Sequence, residues 1–206
     1  MSKPLIIVES PTKIKTLKKY VGNKFNIAAS AGHIRDLPVK ELGIDIDKDF
    51  KANYVNIKDK SRIISNLKKT ATGSTDIYLA PDPDREGEAI AFHIMDILKN
   101  KNRKFHRVLI HELTKKGIEE ALKQTHTPDT HKYNAQQARR KLDRLVGYQI
   151  SPLLWRKVQQ GLSAGRVQSV AVKIVCDRER EVRKFIPKEY WTITADLEGP
   201  TPPGFN

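Results

Sequence analysis

The sequence predicts an α/β fold: a mostly parallel sheet flanked by helices, followed by a mainly helical, incomplete second domain. Three observations carry this. Strand and helix signals alternate through roughly the first 125 residues. The apolar runs among them are short and continuous, as strands covered on both faces require. After Pro128 the pattern changes to long helices, which sets the expected domains at 1–127 and 128–206.

Leu5-Ile6-Ile7-Val8 reads as a central strand that stops abruptly at Glu9-Ser10-Pro11-Thr12-Lys13. Ser10 suits an N-cap and Pro11 a first helical residue, with Ile14, Leu17, Tyr20 and Val21 as the inner face of the helix that follows. Residues 25–29 form a candidate strand leading into a Gly32-His33 turn, and a loop-rich segment spans roughly 37–57. A helix over 62–68 precedes a buried strand at 76–80. The next helix starts near Glu86, with Ala89, Ile90, Phe92, His93, Ile94, Ile97 and Leu98 as its apolar face. Residues 107–110 read as another strand, and Thr114 caps a short helix holding Ile118, Ala121 and Leu122. Beyond Pro128, Ala135, Ala138, Leu142, Leu145 and Val146 form an expected buried stripe. Gln136, Arg140, Arg144 and Tyr148 run along another face at steps of four. Cys176, beside Ile174 and Val175, reads as a small core residue, and 190–197 as strand-like.

Composition narrows the class. With 38% hydrophobic residues the 206-residue chain can bury a core, and a net charge of +14 points to a polyanionic partner. Residues 131–184 hold 13 Lys or Arg against 4 Asp or Glu, which marks them as the nucleic-acid surface. One cysteine excludes an intrachain disulfide or a cysteine metal cluster and suits a reducing interior. No 18-residue apolar stretch exists, so a soluble, cytoplasmic protein without membrane contact is expected.

The chemistry concentrates in Asp82-Pro83-Asp84-Arg85-Glu86-Gly87-Glu88, which follows the 76–80 strand. Acids there lie at the carboxyl end of a strand, where open α/β sheets bind ligands. Alternate residues point the same way, so Asp82 and Asp84 can converge and Glu86 can join them. Three crowded carboxylates are costly to ionise without a cation, and Mg²⁺ takes oxygen ligands of this kind. Acids in a first helical turn are also ordinary partners of the helix dipole, which explains one or two of them. It does not explain three at i, i+2 and i+4, with Pro83 holding the first pair extended. Lys13 opposes the dipole of its own helix and is either a solvated surface lysine or an anion contact. Glu9, closing an apolar strand, lies at the ligand edge of the sheet.

Together, 7–13 and 82–88 resemble the Toprim domain of topoisomerases and primases. Gly32-His33-Ile34-Arg35-Asp36-Leu37-Pro38 between them is similar to the type IA DNA topoisomerases. Blocks at 134–140, 143–144, 147–148, 151–155 and 161–169 resemble the bacterial members in order, over nearly all of residues 3 to 191. The resemblance implies ATP-independent relaxation of negatively supercoiled DNA, in which a tyrosine attacks a phosphodiester and keeps the 5′ phosphate. It implies that Glu9 protonates the leaving 3′ oxygen, Lys13 steadies the phosphate and Arg85 contacts it. Glu9, Asp82, Asp84 and Glu86 would then hold Mg²⁺. His33, Arg35, Arg140, Asp143, Arg144, Tyr148, Ser163, Arg166, Gln168 and Ser169 would bind single-stranded DNA in a nucleoid-associated monomer.

No nucleotide cofactor is expected, because no Gly-x4-Gly-Lys-Ser/Thr loop is present. The family's Gly-Tyr-x-x-Tyr-x-Arg-Thr-like block is missing as well, and all 6 tyrosines sit in other contexts. The expectation is therefore an N-terminal fragment, inactive alone, whose remaining topoisomerase domains belong to a longer chain. A freestanding Toprim nuclease using water on the same acids is the principal alternative. A phosphotransfer domain forming an acyl phosphate at Asp82, or a non-catalytic DNA-binding module, are two others.

Overall fold

The computed structural model describes residues 3–196. Contacts divide the chain into two compact units, Met1–Gly165 and Arg166–Asn206. The first unit is built on a four-stranded sheet of order β2-β1-β7-β8, from β1 (Leu5–Val8), β2 (Asn26–Ala29), β7 (Asp76–Leu79) and β8 (Lys104–Arg107). Every pairing in it is parallel, so the strands all end at one rim. The expected mostly parallel sheet with flanking helices is what the chain adopts.

Period-two alternation sends each strand into two cores. Leu5, Ile7, Ile77 and Leu79 pack against α2 (Ser61–Thr70) and α3 (Arg85–Leu98) through Ile64, Leu67, Ile90 and Ile94. Ile6 and Val8 pack on the other side against α1 (Pro11–Val21) and α4 (Lys115–Lys123), through Leu17, Val21 and Ile118. β1 is buried at all four positions, which explains its unbroken apolar run. Local signals fix the helix ends: Ser10 accepts from the Thr12 N–H ahead of Pro11, and Thr114 accepts from the Gly117 N–H.

The 37–57 segment is not all loop. β3 (Arg35–Asp36) pairs antiparallel with β6 (Val55–Asn56), and β4 (Ile44–Asp45) with β5 (Lys51–Ala52), all two residues long. The last sheet strand lies three residues before the expected 107–110. As an edge strand it needs only one buried face, so polar Lys104 and His106 can belong to it, and it closes on the buried Arg107.

α5 (Thr130–Lys157) is a 28-residue helix capped by Asp129, and its docked face is not the expected one. Ala135, Ala138 and Leu142 are exposed, and Leu145 and Val146 only half-buried, whereas Gln136, Gln137 and Ser151 are buried. The surface this helix meets is polar. Carboxylates and free carbonyls of α3 and the 36–41 loop draw in amides and guanidinium groups, which outweighs the apolar periodicity. A Phe92–Tyr133 ring stack, centroids 4.2 Å apart, completes the α3–α5 contact.

The second unit carries α6 (Arg166–Lys184), whose Val167, Val170, Ile174 and Val175 are exposed. Cys176 is exposed as well, so it is not the expected core residue. Its helix turns those valines outward, and the apolar neighbours that suggested a core surround nothing. Residues 190–196 form no strand, and Leu197 lies outside the described residues. The 190–196 run has no strand beside it among the described residues to pair its backbone.

Candidate active site

Because β1 and β7 are parallel neighbours, the residues that follow them emerge at one rim. Glu9 follows β1; Asp82 stands three residues after β7. The Lys13 ammonium lies 2.8 Å from Glu9 Oε1 and also pairs with the Asp82 carboxylate, while the Asp82 N–H donates to Glu9 Oε2 at 3.3 Å. Burial works against the Lys13 charge, but bonds to Asp82 and Glu9 outweigh it and hold its pKa above the ordinary lysine value. Contact with Glu9, and then with Lys13, holds Asp82 below the usual carboxylate range despite the opposing effect of burial. The expected convergence of Glu9 and Asp82, 73 residues apart in sequence, is present.

The rest of the acid set is spread. Asp84 Oδ1 accepts from the Gly87 N–H at 2.7 Å, so Asp84 is the N-cap of α3. Glu86 Oε2 faces His33 Nε2 at 3.2 Å and accepts from the Gln136 amide at 3.1 Å. Among the described residues no three acids, histidines or cysteines close on one point. This corrects the expectation that Asp82, Asp84 and Glu86 crowd together: like charges separate when an ammonium, a helix N-terminus and an amide each offer a better partner. The donor set still fits a hard cation. It is four carboxylates at one rim with no soft ligand, and a lysine ammonium is already drawn in as the positive charge between two of them. Arg85, the first residue of α3, is exposed beside this set.

Backbone conformation places His33. Ala31 (φ 52°) and Gly32 (φ 86°) both adopt left-handed geometry to turn the chain out of β2, and the Gly32 N–H bonds the Glu9 carbonyl at 2.9 Å. His33 then opens a cavity of about 300 Å³ that also includes Tyr54, Glu86, His93, Gln136 and Arg140. His93 is 2% exposed, and neither ring nitrogen has a hydrogen-bond partner. Burial, then the nearby His33 and Arg35 charges, lowers its pKa to about 4. Sequence reasoning placed His93 on the inner face of its helix, and nothing local signals that the ring would lack a partner there.

The polar stripe of α5 is engaged with the loop after β3. Arg140 pairs with Asp36 through two guanidinium nitrogens, and that pairing outweighs burial to hold Asp36 below the usual carboxylate range. Arg144 donates to the Pro38 carbonyl at 2.8 Å, and the Tyr148 hydroxyl to the Val39 carbonyl at 2.9 Å. Arg35 pairs with Asp96 at 2.7 Å, and Asp143 lies on α5 within reach of Arg139 at 3.8 Å. Ser163 sits in the exposed segment before α6; Arg166, Gln168 and Ser169 lie in its exposed first turn. Those four belong to the segment around the unit boundary, apart in sequence from the acid rim.

Sequence reasoning missed one more pair. Arg107 and Glu88 are each 1% exposed and joined at 2.7 Å directly behind the acid segment. Glu88 stands inside the acid-rich block, but only the fold brings β8 beneath it.

Comparison with known proteins agrees with this geometry. The Toprim domain family model matches residues 4–113, and a family model described as DNA topoisomerase matches 127–203. The structure of full-length topoisomerase I from Thermotoga maritima is similar, with 47% sequence identity, a TM-score of 0.80 and 89% of this chain covered. The chain spans 31% of that protein's length. No described helix is long and apolar enough to cross a membrane.

Proposed function

Because the chain belongs to the Toprim domain family, a metal-binding family, we propose that it supplies the acid half of a type IA DNA topoisomerase. Such an enzyme relaxes negatively supercoiled DNA by breaking and rejoining one strand without ATP. On this reading residues 1–127 are the Toprim domain, and 128–206 the first part of the domain that binds single-stranded DNA. The observation that carries it is the Lys13 ammonium held between Glu9 and Asp82 at the sheet rim.

The chemistry follows from those positions. When a tyrosine supplied from outside residues 1–206 attacks the phosphodiester and releases its phenolic proton to water, a phosphorus–tyrosine oxygen bond forms, the bond to the 3′ oxygen breaks, and that oxygen departs with negative charge. Glu9 gives its carboxyl proton to that oxygen and takes it back on rejoining. Lys13, fixed between Glu9 and Asp82, keeps its positive charge and aims it at the phosphate, and Arg85 adds a second cation. Glu9, Asp82, Asp84 and Glu86 would hold Mg²⁺, which when bound would supply further positive charge beside the phosphate. His33, Arg35, Arg140, Asp143, Arg144 and Tyr148 hold the strand, with Arg140, Arg144 and Tyr148 exchanging their contacts with 36–41 for phosphates and bases. Ser163, Arg166, Gln168 and Ser169 add polar contacts to it. The protein acts as a monomer in the cytoplasm, at the nucleoid.

Fluorescence anisotropy with a labelled single-stranded oligonucleotide tests the reading. Affinity is expected to fall tenfold or more between about 50 and 200 mM salt, because each Lys or Arg on a phosphate releases a counterion. A flat salt response contradicts it. Mg²⁺-dependent hydrolysis of the oligonucleotide by this chain alone, with no protein–DNA adduct, favours the water-using nuclease instead.

A further inference from the structure

We propose that Arg107 is the positioning residue of the acid rim, holding the backbone of the Asp82 segment so that its carboxylates are set for a cation. This rests on the metal reading given above.

Pro81 and Pro83 deprive the Asp82 segment of backbone donors. Flanking Asp82, they remove two N–H donors, so the segment cannot hold itself in place through the usual turn hydrogen bonds. Its carbonyls must be held from outside. Arg107 does this from the end of β8, with a planar fork of five N–H groups. Nη1 donates to the carbonyls of Leu79 at 3.1 Å, Pro81 at 2.9 Å and Val108 at 2.8 Å, while Nη2 donates to the Asp82 carbonyl at 2.7 Å. Three of those four carbonyls lie in the passage from β7 to Asp82.

The remaining donor, Nε, meets Glu88 Oε1 at 2.7 Å, and Glu88 Oε2 accepts from the Asp129 N–H at 3.2 Å. One buried pair thus joins the acid segment, the first turn of α3 and the cap of α5. Gly87 completes the grip, because a Cβ there would collide with the Asp82 carbonyl oxygen that Arg107 holds. An ammonium at position 107 could balance the Glu88 charge but could not reach three divergent carbonyls at once. Charge balance and backbone grip are therefore separable by mutation.

The test uses Arg107→Lys and Glu88→Gln in the 206-residue chain, with Mn²⁺ alone as the probe. Free Mn²⁺ is counted by electron paramagnetic resonance, and the Asp82 amide is followed by hydrogen exchange. Arg107→Lys is expected to weaken Mn²⁺ binding about tenfold and to speed Asp82 exchange at least as much. Glu88→Gln keeps the carbonyl grip and is expected to bind Mn²⁺ within about threefold of the parent while lowering the melting temperature. Equal Mn²⁺ affinity and unchanged exchange in Arg107→Lys overturn the inference and leave the metal reading standing. A parent chain that binds no Mn²⁺ overturns the metal reading and this inference with it. If Arg107→Lys does not fold, Glu88→Gln decides alone: a loss of Mn²⁺ affinity in proportion to its loss of stability overturns the inference, and retained affinity supports it.

Discussion

Two charged groupings occupy the same rim of the sheet and differ in exposure. Arg107 and Glu88 are 1% exposed, with every guanidinium nitrogen bonded to a carboxylate or a carbonyl. Lys13 and Glu9 are 22% exposed and Asp82 49%, close enough to solvent to meet a phosphate or a cation. The first grouping is saturated and can only hold shape. The second carries charges with unused lone pairs, and Lys13 and Asp82 in it have shifted proton affinities, which is what chemistry requires. Side by side, they separate scaffold from reagent more clearly than residue type does, since both are one base among acids.

The largest effect is expected where the saturated grouping is broken. Arg107→Ala takes the guanidinium from the buried Glu88 carboxylate and from the carbonyls of Pro81, Asp82 and Val108, and should cost about 3–5 kcal/mol in urea unfolding. A loss below about 1 kcal/mol would mean that water reaches the site and that the two groupings are not different in kind. A smaller effect is expected from His93, which is neither saturated nor exposed. Its folded-state pKa is about 4 against 6.5 for the free group. Above pH 6.5 the ring is neutral in both states; as pH falls towards 4 only the unfolded chain takes up the proton. Stability should therefore drop by about 3 kcal/mol across that window, and His93→Phe should remove this part of the pH dependence. Equal pH dependence in the variant would show that the ring is charged or bonded when folded.

How much of this was legible in the sequence depends on whether the signal was local. β1, the Ser10-Pro11 start of α1, β7 and the start of α3 were readable, because apolar runs and caps are set by neighbours along the chain. The meeting of Glu9 with Asp82 was readable too, since parallel strands must deliver their ends to one rim. The docked face of α5 was not. Periodicity assumes that the surface a helix meets is apolar, and here it is Glu86, Asp36 and the carbonyls of 37–39. Cys176 failed for the related reason that apolar neighbours on one helix do not supply a partner. The spreading of Asp84 and Glu86 depends on competing donors at Gly87, His33 and Gln136, which spacing cannot rank. Arg107 gave no signal of its own, because an arginine closing an edge strand looks like any surface base until the fold buries it.

The smallest expected change in stability is also the most direct test of the exposed grouping. Lys13→Gln should alter unfolding free energy by less than about 1 kcal/mol, as for other partly exposed ion pairs. Its effect on Asp82 should be plain: followed by carboxyl-carbon NMR, Asp82 is expected to titrate below the usual carboxylate range in the parent chain and to move upward once the ammonium is gone. An Asp82 that titrates at the same pH with and without Lys13 would contradict the claim that the ends of β1 and β7 close around one cation at the rim.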